Sequence, residues 1–494
     1  MLSSLPDAFA ILFTVEGIAT LILGTTLGIV LGAMPGIGST VAVAIVLPFT
    51  LSMSQAPAIL LLLAVYAGSV YGGSISAILI NTPGTPQSAA TCLDGYPMAQ
   101  RGEAGLALGW ATQASIVGGL VSAVVLIIAA PQLAAFALQF GPIETFALIL
   151  LGMTCIVSVS TGSVVKGLLS GMIGIFLSLV GGDPIIGEFR FTFDNWQLYS
   201  GFNLLAVVIG VFALSEVFMR ASAKITSVSE LVSFRGIVFP KLAEWRGRRR
   251  NLAKSVLIGN VIGVLPGTGA ATAAFISYAE GRRSSPHRED YGKGEPDGIV
   301  SSEAANNAVT GGALVPTMAL GIPGDAITAV MLATLTLHGI TPGPKLVEDN
   351  PVLIGAIFAG FFIINLLLLP LGTLLSRVAA PLLRVREAYM MTAIVLLCAL
   401  GIYFVRGNPF DLLVMGLAGV GGFILRRQGF PMAPLVIGMV LGPTLELTLR
   451  QGLILTDGNF FAFFESPIAL VLTIVAIAAL SLPLVRAALR RKPA

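Results

Sequence analysis

Long runs of side chains with nothing polar to offer water set the frame for this chain. Leu204–Leu214 (LLAVVIGVFAL), Ile357–Leu371 and Ile468–Leu480 sit inside apolar stretches near the ~20 residues that a helix needs to cross a bilayer. Hydrophobic residues make up 55% of the 494 positions and charged residues only 11%, against roughly 25% charged in soluble globular chains. A larger core does not repair that deficit, because a water-facing surface still needs polar cover. The membrane is therefore the solvent, and spanning segments must be helices or a closed barrel. Barrel strands alternate over about ten residues, whereas these runs are longer and apolar throughout. The expected fold class is an all-α polytopic integral membrane protein.

Composition removes several chemistries. The two histidines, His287 and His338, are too far apart for a helical metal pair. Cys92, Cys155 and Cys398 form no metal or disulfide spacing. No metal and no bound cofactor are expected, and no nucleophile–base pair lies at depth, so an intramembrane enzyme is disfavoured. The segments Thr82–Gly105 and Gly281–Ser302 read as solvated connectors. The second mixes Arg282, Arg283 and Arg288 with Glu289 and Asp290, which is a poor nucleic-acid surface.

Lysine and arginine mark cytoplasmic loops. The densest cluster runs from Arg220 to Lys254, and a second closes the chain at Arg486, Arg490, Arg491 and Lys492. With both inside, the loops at Arg101, Lys166, Arg377–Arg386 and Arg426-Arg427 also fall inside. The loops at Gly182–Tyr199, Glu348-Asp349, Arg406 and Asp457 fall outside. No basic residue precedes Arg101, so the N-terminus is expected to be periplasmic and the C-terminus cytoplasmic. Met1–Ala10 lacks a basic stretch, and no cleavable signal is expected. The stretch Asn251–Ala279 does not cross: both flanks favour the cytoplasm and Pro266-Gly267 interrupts it. Two half-length helices meeting at that break form a re-entrant hairpin.

The chain also repeats itself. Gly28-Ile-Val-Leu-Gly32-Ala-Met-Pro35-Gly36-Ile-Gly38 returns as Gly259-Asn-Val-Ile-Gly263-Val-Leu-Pro266-Gly267-Thr-Gly269, about half a chain length later. Ser69-Val-Tyr-Gly72-Gly73 leading to Asn81-Thr-Pro-Gly-Thr85 returns as Ala308-Val-Thr-Gly311-Gly312 leading to Gly321-Ile-Pro-Gly-Asp325. The charge pattern opens the first hairpin outward and the second inward, giving two inverted-topology repeats, each with a Pro-Gly re-entrant hairpin and a broken helix. Secondary transporters are often built this way, with substrate near the midplane. The division expected is a first half at 1–219, a basic cytoplasmic connector at 220–254, a second half at 255–450, and a C-terminal loop and last helix at 451–494.

A break exposes a fresh helix N-terminus, with free N–H groups and about half a positive charge. Anions bind there without a buried lysine. The candidate substrate-binding residues are Pro35, Gly36, Gly38, Ser39 and Thr40; Thr82, Pro83, Gly84 and Thr85; Pro266, Gly267, Thr268, Gly269 and Thr272; and Pro323 and Gly324, with Thr328 just beyond. The upstream Gly24/Gly28/Gly32 and Gly259/Gly263 suit helix packing instead. Asn81, Asn306, Asn307 and Asp325 are polar groups at depth, which are costly and usually functional. They are candidates for coupling to Na⁺ or a proton, although Asp325 equally suits a helix cap. Glu16 and Glu144 are expected near helix ends.

The strings Gly32–Thr40, Asn81–Ala90 with Asp94-Gly-Tyr-Pro97, Gly263–Ala271, and Glu303-Ala-Ala-Asn-Asn307 through Gly321–Asp325 resemble the large membrane subunit of the tripartite tricarboxylate transporters. The resemblance spans essentially the full chain and weakens after about Arg377. It implies a bacterial inner-membrane permease working with a small four-helix membrane subunit and a periplasmic solute-binding protein. It also implies carboxylate uptake, of citrate or a related acid, driven by an ion gradient, with repeats similar to those of elevator-type carriers. A stand-alone organic-anion exchanger or exporter of the same fold class is the alternative. Cysteine-accessibility labelling should place the N-terminus outside and Arg246–Arg250 inside; labelling of both from one side would remove the inverted arrangement.

Overall fold

The computed structural model describes residues 5–159, 163–183, 185–222, 232, 236–267, 269–382, 385 and 387–490. Helices dominate, and eight of those described are long and apolar enough to cross a membrane. The chain is a multi-pass, all-α membrane protein.

The first half begins with α1 (Leu5–Leu12) and α2 (Val15–Ala33), then α3 (Gly38–Thr50), α4 (Gln55–Ile80), α5 (Ala89–Met98) and α6 (Ala104–Ala137). It continues through α7 (Pro142–Val159), α8 (Val164–Ser178), α9 (Leu204–Ile209) and α10 (Ser215–Ser222). The second half holds α11 (Arg249–Val264), α12 (Gly269–Ser284), α13 (Pro296–Leu320), α14 (Ala326–Leu337), α15 (Pro344–Asp349) and α16 (Pro351–Leu382). It closes with α17 (Glu387–Arg406), α18 (Pro409–Arg427), α19 (Met432–Leu455) and α20 (Pro467–Arg490). Two residues on either side of a short loop, Gly181-Gly182 and Phe189-Arg190, pair as a small antiparallel ribbon.

Elements of the two halves interdigitate in matched fashion. α2 packs on α4 and α16, while α11 packs on α13 and α6. α3 packs on α14, and α12 packs on α5 and the short turn of helix at Pro86–Ser88. α13 against α6 and α19 against α8 join first-half helices to second-half ones. α4 is buried along nearly its whole length.

Small residues bring these helices together. A Cβ added at Gly28 would lie 2.6 Å from the Val65 carbonyl oxygen, and one at Gly72 would lie 2.3 Å from that of Ile29. On the other side, Gly259 and Gly263 meet the Ala305 and Val309 carbonyls at 2.4 and 2.8 Å. The glycines upstream of the breaks are therefore packing residues, with helix backbones in direct contact.

The hairpin arms depart from expectation. α2 and α3 have 19 and 13 residues, and α11 and α12 have 16 each. At 1.5 Å per residue the longest is about 28 Å and the 16-residue arms about 24 Å, longer than half-length. The connectors also differ. Residues 89–98 form α5, and Thr91 and Asp94 in it are fully buried. The Asp94 carboxylate accepts N–H bonds from Gly292, Gly294 and Glu295, each at 2.8 Å, and the Tyr278 hydroxyl at 2.8 Å. The polarity read as solvation is used internally, to pin one connector to the other. Glu16 and Glu144 do lie in first helical turns.

Charged contacts sort into groups. Arg101 donates to Gly294, Arg248 to Glu295, Lys166 to Gln428, and Arg426 to Glu216. Arg450 and Arg190 pair with Asp183, and Arg190 also with Glu446. Each link joins segments that the charge pattern assigns to the same side. Asp183, in the loop, is held at about 2, first by N–H bonds from Ile186 and Ile185 and then by Arg450.

Gly28→Val should lower thermal stability in detergent by about 1–3 kcal/mol or prevent assembly. Gly421→Ala, with nothing within 4 Å of the added carbon, should stay within about 0.5 kcal/mol of the parent. Fluorescence-detected size exclusion with a melting ramp reads both, and an equally stable Gly28→Val protein would contradict the close packing.

Candidate functional site

The two Pro-Gly interruptions match in backbone at the positions described in both. Met34 and Leu265 end their helices in extended conformation, at φ −73°, ψ 118° and φ −81°, ψ 112°. Gly36 and Gly267 follow at φ +86° and +84°, then Gly38 and Gly269 at φ +67° and +71°. At the first break the Ile37 N–H donates to the Met34 carbonyl at 3.3 Å. Proline at the second position and a left-handed residue at the third make a type II turn, which calls for glycine. Thr268 lies outside the described residues.

The second pair of breaks is also matched. α4 and α13 end on left-handed caps, Asn81 at φ +52° and Gly321 at φ +70°. Thr85 and Asp325 then resume in extended conformation and start the next helix. Here the new helix starts are occupied by the chain itself. Ser88 donates to the Thr85 carbonyl at 2.8 Å and accepts its N–H at 3.4 Å. Asp325 Oδ1 accepts the Ile327 and Thr328 N–H groups at 3.0 and 2.8 Å and the Thr328 hydroxyl at 2.9 Å. Its Oδ2 accepts the Tyr66 hydroxyl from α4 at 2.7 Å. Asp325 thus caps α14, a role that stabilises by about 1 kcal/mol.

Within each half the breaks come together. Gly84 sits so close to α2 that a Cβ would lie 2.0 Å from the Gly32 carbonyl oxygen. Gln87 Nε2 donates to Ser39 Oγ at 3.2 Å, and Pro86 lies 3.8 Å from where a Gly38 Cβ would stand. In the second half the Gly267 N–H donates to the Gly324 carbonyl at 2.7 Å. Pro323 is buried, Thr40 half-buried and Thr272 exposed. Thr82 turns back to the Ile80 carbonyl at 3.2 Å. Asn81 is exposed, whereas Asn306 and Asn307 are buried on α13.

The α3 start differs from the self-capped pair. Its first residue position is preceded by Ile37, and no side chain caps it. The N–H groups of its first turn are left for another acceptor. Gly269 has no heavy atom within 4 Å of an added Cβ, so the backbone there is open to close approach.

One residue of this region has no counterpart in the sequence reading. Arg220, at the end of α10, donates to the Gly36 carbonyl at 3.1 Å, the Pro35 carbonyl at 3.3 Å and Glu216 at 3.0 Å. A Cβ at Gly36 would lie 1.4 Å from its guanidinium. In sequence Arg220 is only the first member of a basic cluster, and nothing in its spacing links it to Pro35. The contact brings the first break beside that basic segment.

Residues 18–437 match the family described as tripartite tricarboxylate transporter TctA. The chain belongs to that family. A 52.8 kDa uncharacterised protein in the TAR-I ttuC' 3' region of Agrobacterium vitis is 37% identical over 478 residues, covering 97% of this chain and 95% of that one. A second uncharacterised protein, in the TAR-II ttuC' 3' region of the same organism, is 36% identical over 211 residues, 43% of this chain and 87% of its own length. No solved structure matches. As a TctA-family chain, the protein is a transport component rather than a member of an enzyme family.

Gly36→Val combines a β-branched side chain at positive φ with a collision at Arg220, and Gly267→Val forces the same dihedral. Both should cut uptake at least about tenfold with membrane insertion retained, whereas Gly269→Ala carries only a left-handed cost of about 1–2 kcal/mol. Unchanged uptake kinetics in Gly36→Val and Gly267→Val would defeat the assignment of these loops.

Proposed function

We propose that this protein is the permease subunit of an ion-gradient-driven, binding-protein-dependent uptake system for small carboxylates such as citrate or another di- or tricarboxylate. The observation that carries the reading is the pair of dihedral-matched Pro-Gly turns, the first opening onto an uncapped helix start. Backbone N–H groups so exposed attract negative charge with no buried lysine. Membership of a family named for tricarboxylates supports the substrate class, and the tripartite name supports two partners: a small four-helix membrane subunit and a periplasmic solute-binding protein.

In this reading the two halves are inverted repeats, the Pro-Gly segments are re-entrant, and the chain sits in a bacterial inner membrane with its N-terminus periplasmic. The substrate loops are Pro35–Thr40 and Pro266–Thr272, with 82–85 and 322–325 supporting them from behind. Arg220, ion-paired with Glu216, holds the first loop through its carbonyls. Because Thr85 and Asp325 are committed to capping, the carboxylate is assigned to the Pro-Gly pair rather than to all four breaks.

The test is uptake of labelled di- and tricarboxylates into vesicles holding this chain and its small subunit, with the cognate binding protein outside. Accumulation should follow an inward Na⁺ or proton gradient and vanish when that gradient is dissipated, with no need for ATP. Accumulation that requires a counter-anion inside and ignores the binding protein would replace this reading with an exchanger.

A further inference from the structure

We propose that Glu303 on α13, a residue outside the broken-helix loops, is the group that binds the coupling cation, as a monovalent cation site of carboxylate, hydroxyl and amide oxygens. This rests on the ion-coupled reading above and names the site within it.

The Glu303 side chain is 0% exposed. Its Oε1 accepts the Thr91 hydroxyl from α5 at 2.5 Å, and its Oε2 accepts the Ser115 hydroxyl from α6 at 3.0 Å. The Ser302 and Thr91 hydroxyls are 3.0 Å apart. No arginine, lysine or histidine forms an ion pair with Glu303 among the described residues. An ionised carboxylate buried without a countercharge is strongly disfavoured, so such a group takes up a proton or another cation.

A second, independent feature lies one turn along the same helix. Asn306 is 0% exposed, and both its amide oxygen and amide nitrogen lack a partner. Asn307 donates its Nδ2 to the Glu303 carbonyl at 3.0 Å and leaves its oxygen without one. Buried polar groups are rarely left unpaired. Residues three apart on a helix share a face, with Cβ atoms about 5–6 Å apart, so Asn306, with its amide unused, lies on the same face of α13 as Glu303. Hydroxyl, amide and carboxylate oxygens are the donor set for a hard monovalent cation.

Asp325 makes the comparison instructive. Its carboxylate receives two N–H and two O–H bonds, so its charge is already compensated. Glu303 receives two hydroxyls only. Because Glu303 ties α13 to α5 and α6, occupancy of this site changes the packing between the two halves of the chain.

Two measurements test the site. In the full-length protein in vesicles, a hydrophobic carbodiimide should modify Glu303, as located by peptide mass. Na⁺ protects it if sodium is the ion; raising the pH protects it if the ion is a proton. Modification unaffected by both, or none at Glu303, overturns the proposal. In parallel, Glu303→Gln should lower gradient-driven accumulation at least about tenfold, and Asn306→Ala should shift the cation activation midpoint by about tenfold. Glu303→Gln accumulating with the parent's ion dependence also overturns it. If Glu303→Gln fails to insert, the carbodiimide result on the parent protein decides alone. A parent protein whose carboxylate uptake ignores both ions removes the ion-coupled reading instead, and the carbodiimide protection, which needs no substrate, still reports on Glu303.

Discussion

A helix interrupted inside a hydrocarbon layer releases donors and acceptors that lipid cannot satisfy. How each freed group is met separates the parts of this molecule. At residues 81–85 and 321–325 the chain answers from within, through Ser88 on Thr85 and through Asp325 with Thr328 and Tyr66. At 34–38 the turn is closed by its own backbone and by Arg220 on the carbonyl side, and the α3 start has no side-chain cap. Among these breaks, the first Pro-Gly turn is therefore the one whose following helix starts without a side-chain cap.

Close helix packing makes this possible. Glycines on α2 and α11 bring each against the backbone of α4 and α13, so each Pro-Gly turn lies against the second break of its own half. Gly84 reaches Gly32, and Gly267 donates to Gly324. Contacts between halves then run through different residues: Tyr66 to Asp325, Thr91 and Ser115 to Glu303, and Asp94 to the 292–295 backbone. A buried carboxylate sits at each of these junctions, and only Glu303 lacks more than two donors.

Much of the fold was legible because its signals are local. Apolar length decides that a segment is a membrane helix, and proline with glycine decides where it stops. The recurrence of those stops half a chain apart was visible for the same reason. The roles of the polar residues were less legible. Asp94 and Thr91 looked like connector polarity, since burial comes from α13 and residues 292–295, about 200 positions away. Asp325 suited both a cap and a coupling role in sequence, and the structure shows the cap, with Tyr66 from α4 donating to its other oxygen. Asn81 stands exposed just past the last turn of α4, as its left-handed cap.

By itself the amino-acid order determined the solvent of this protein, its helical class and the positions of its paired turns. Hydropathy and the φ restrictions of proline and glycine act over a few residues, so neighbours suffice to specify them. Tertiary structure alone decided which of those turns is self-capped, that an arginine from α10 meets Gly36, and that Glu303 is shut away with hydroxyls and, among the described residues, no countercharge. Those outcomes depend on which distant side chains share a place, and pairing of hydrogen-bonding groups across helices carries no imprint in sequence spacing.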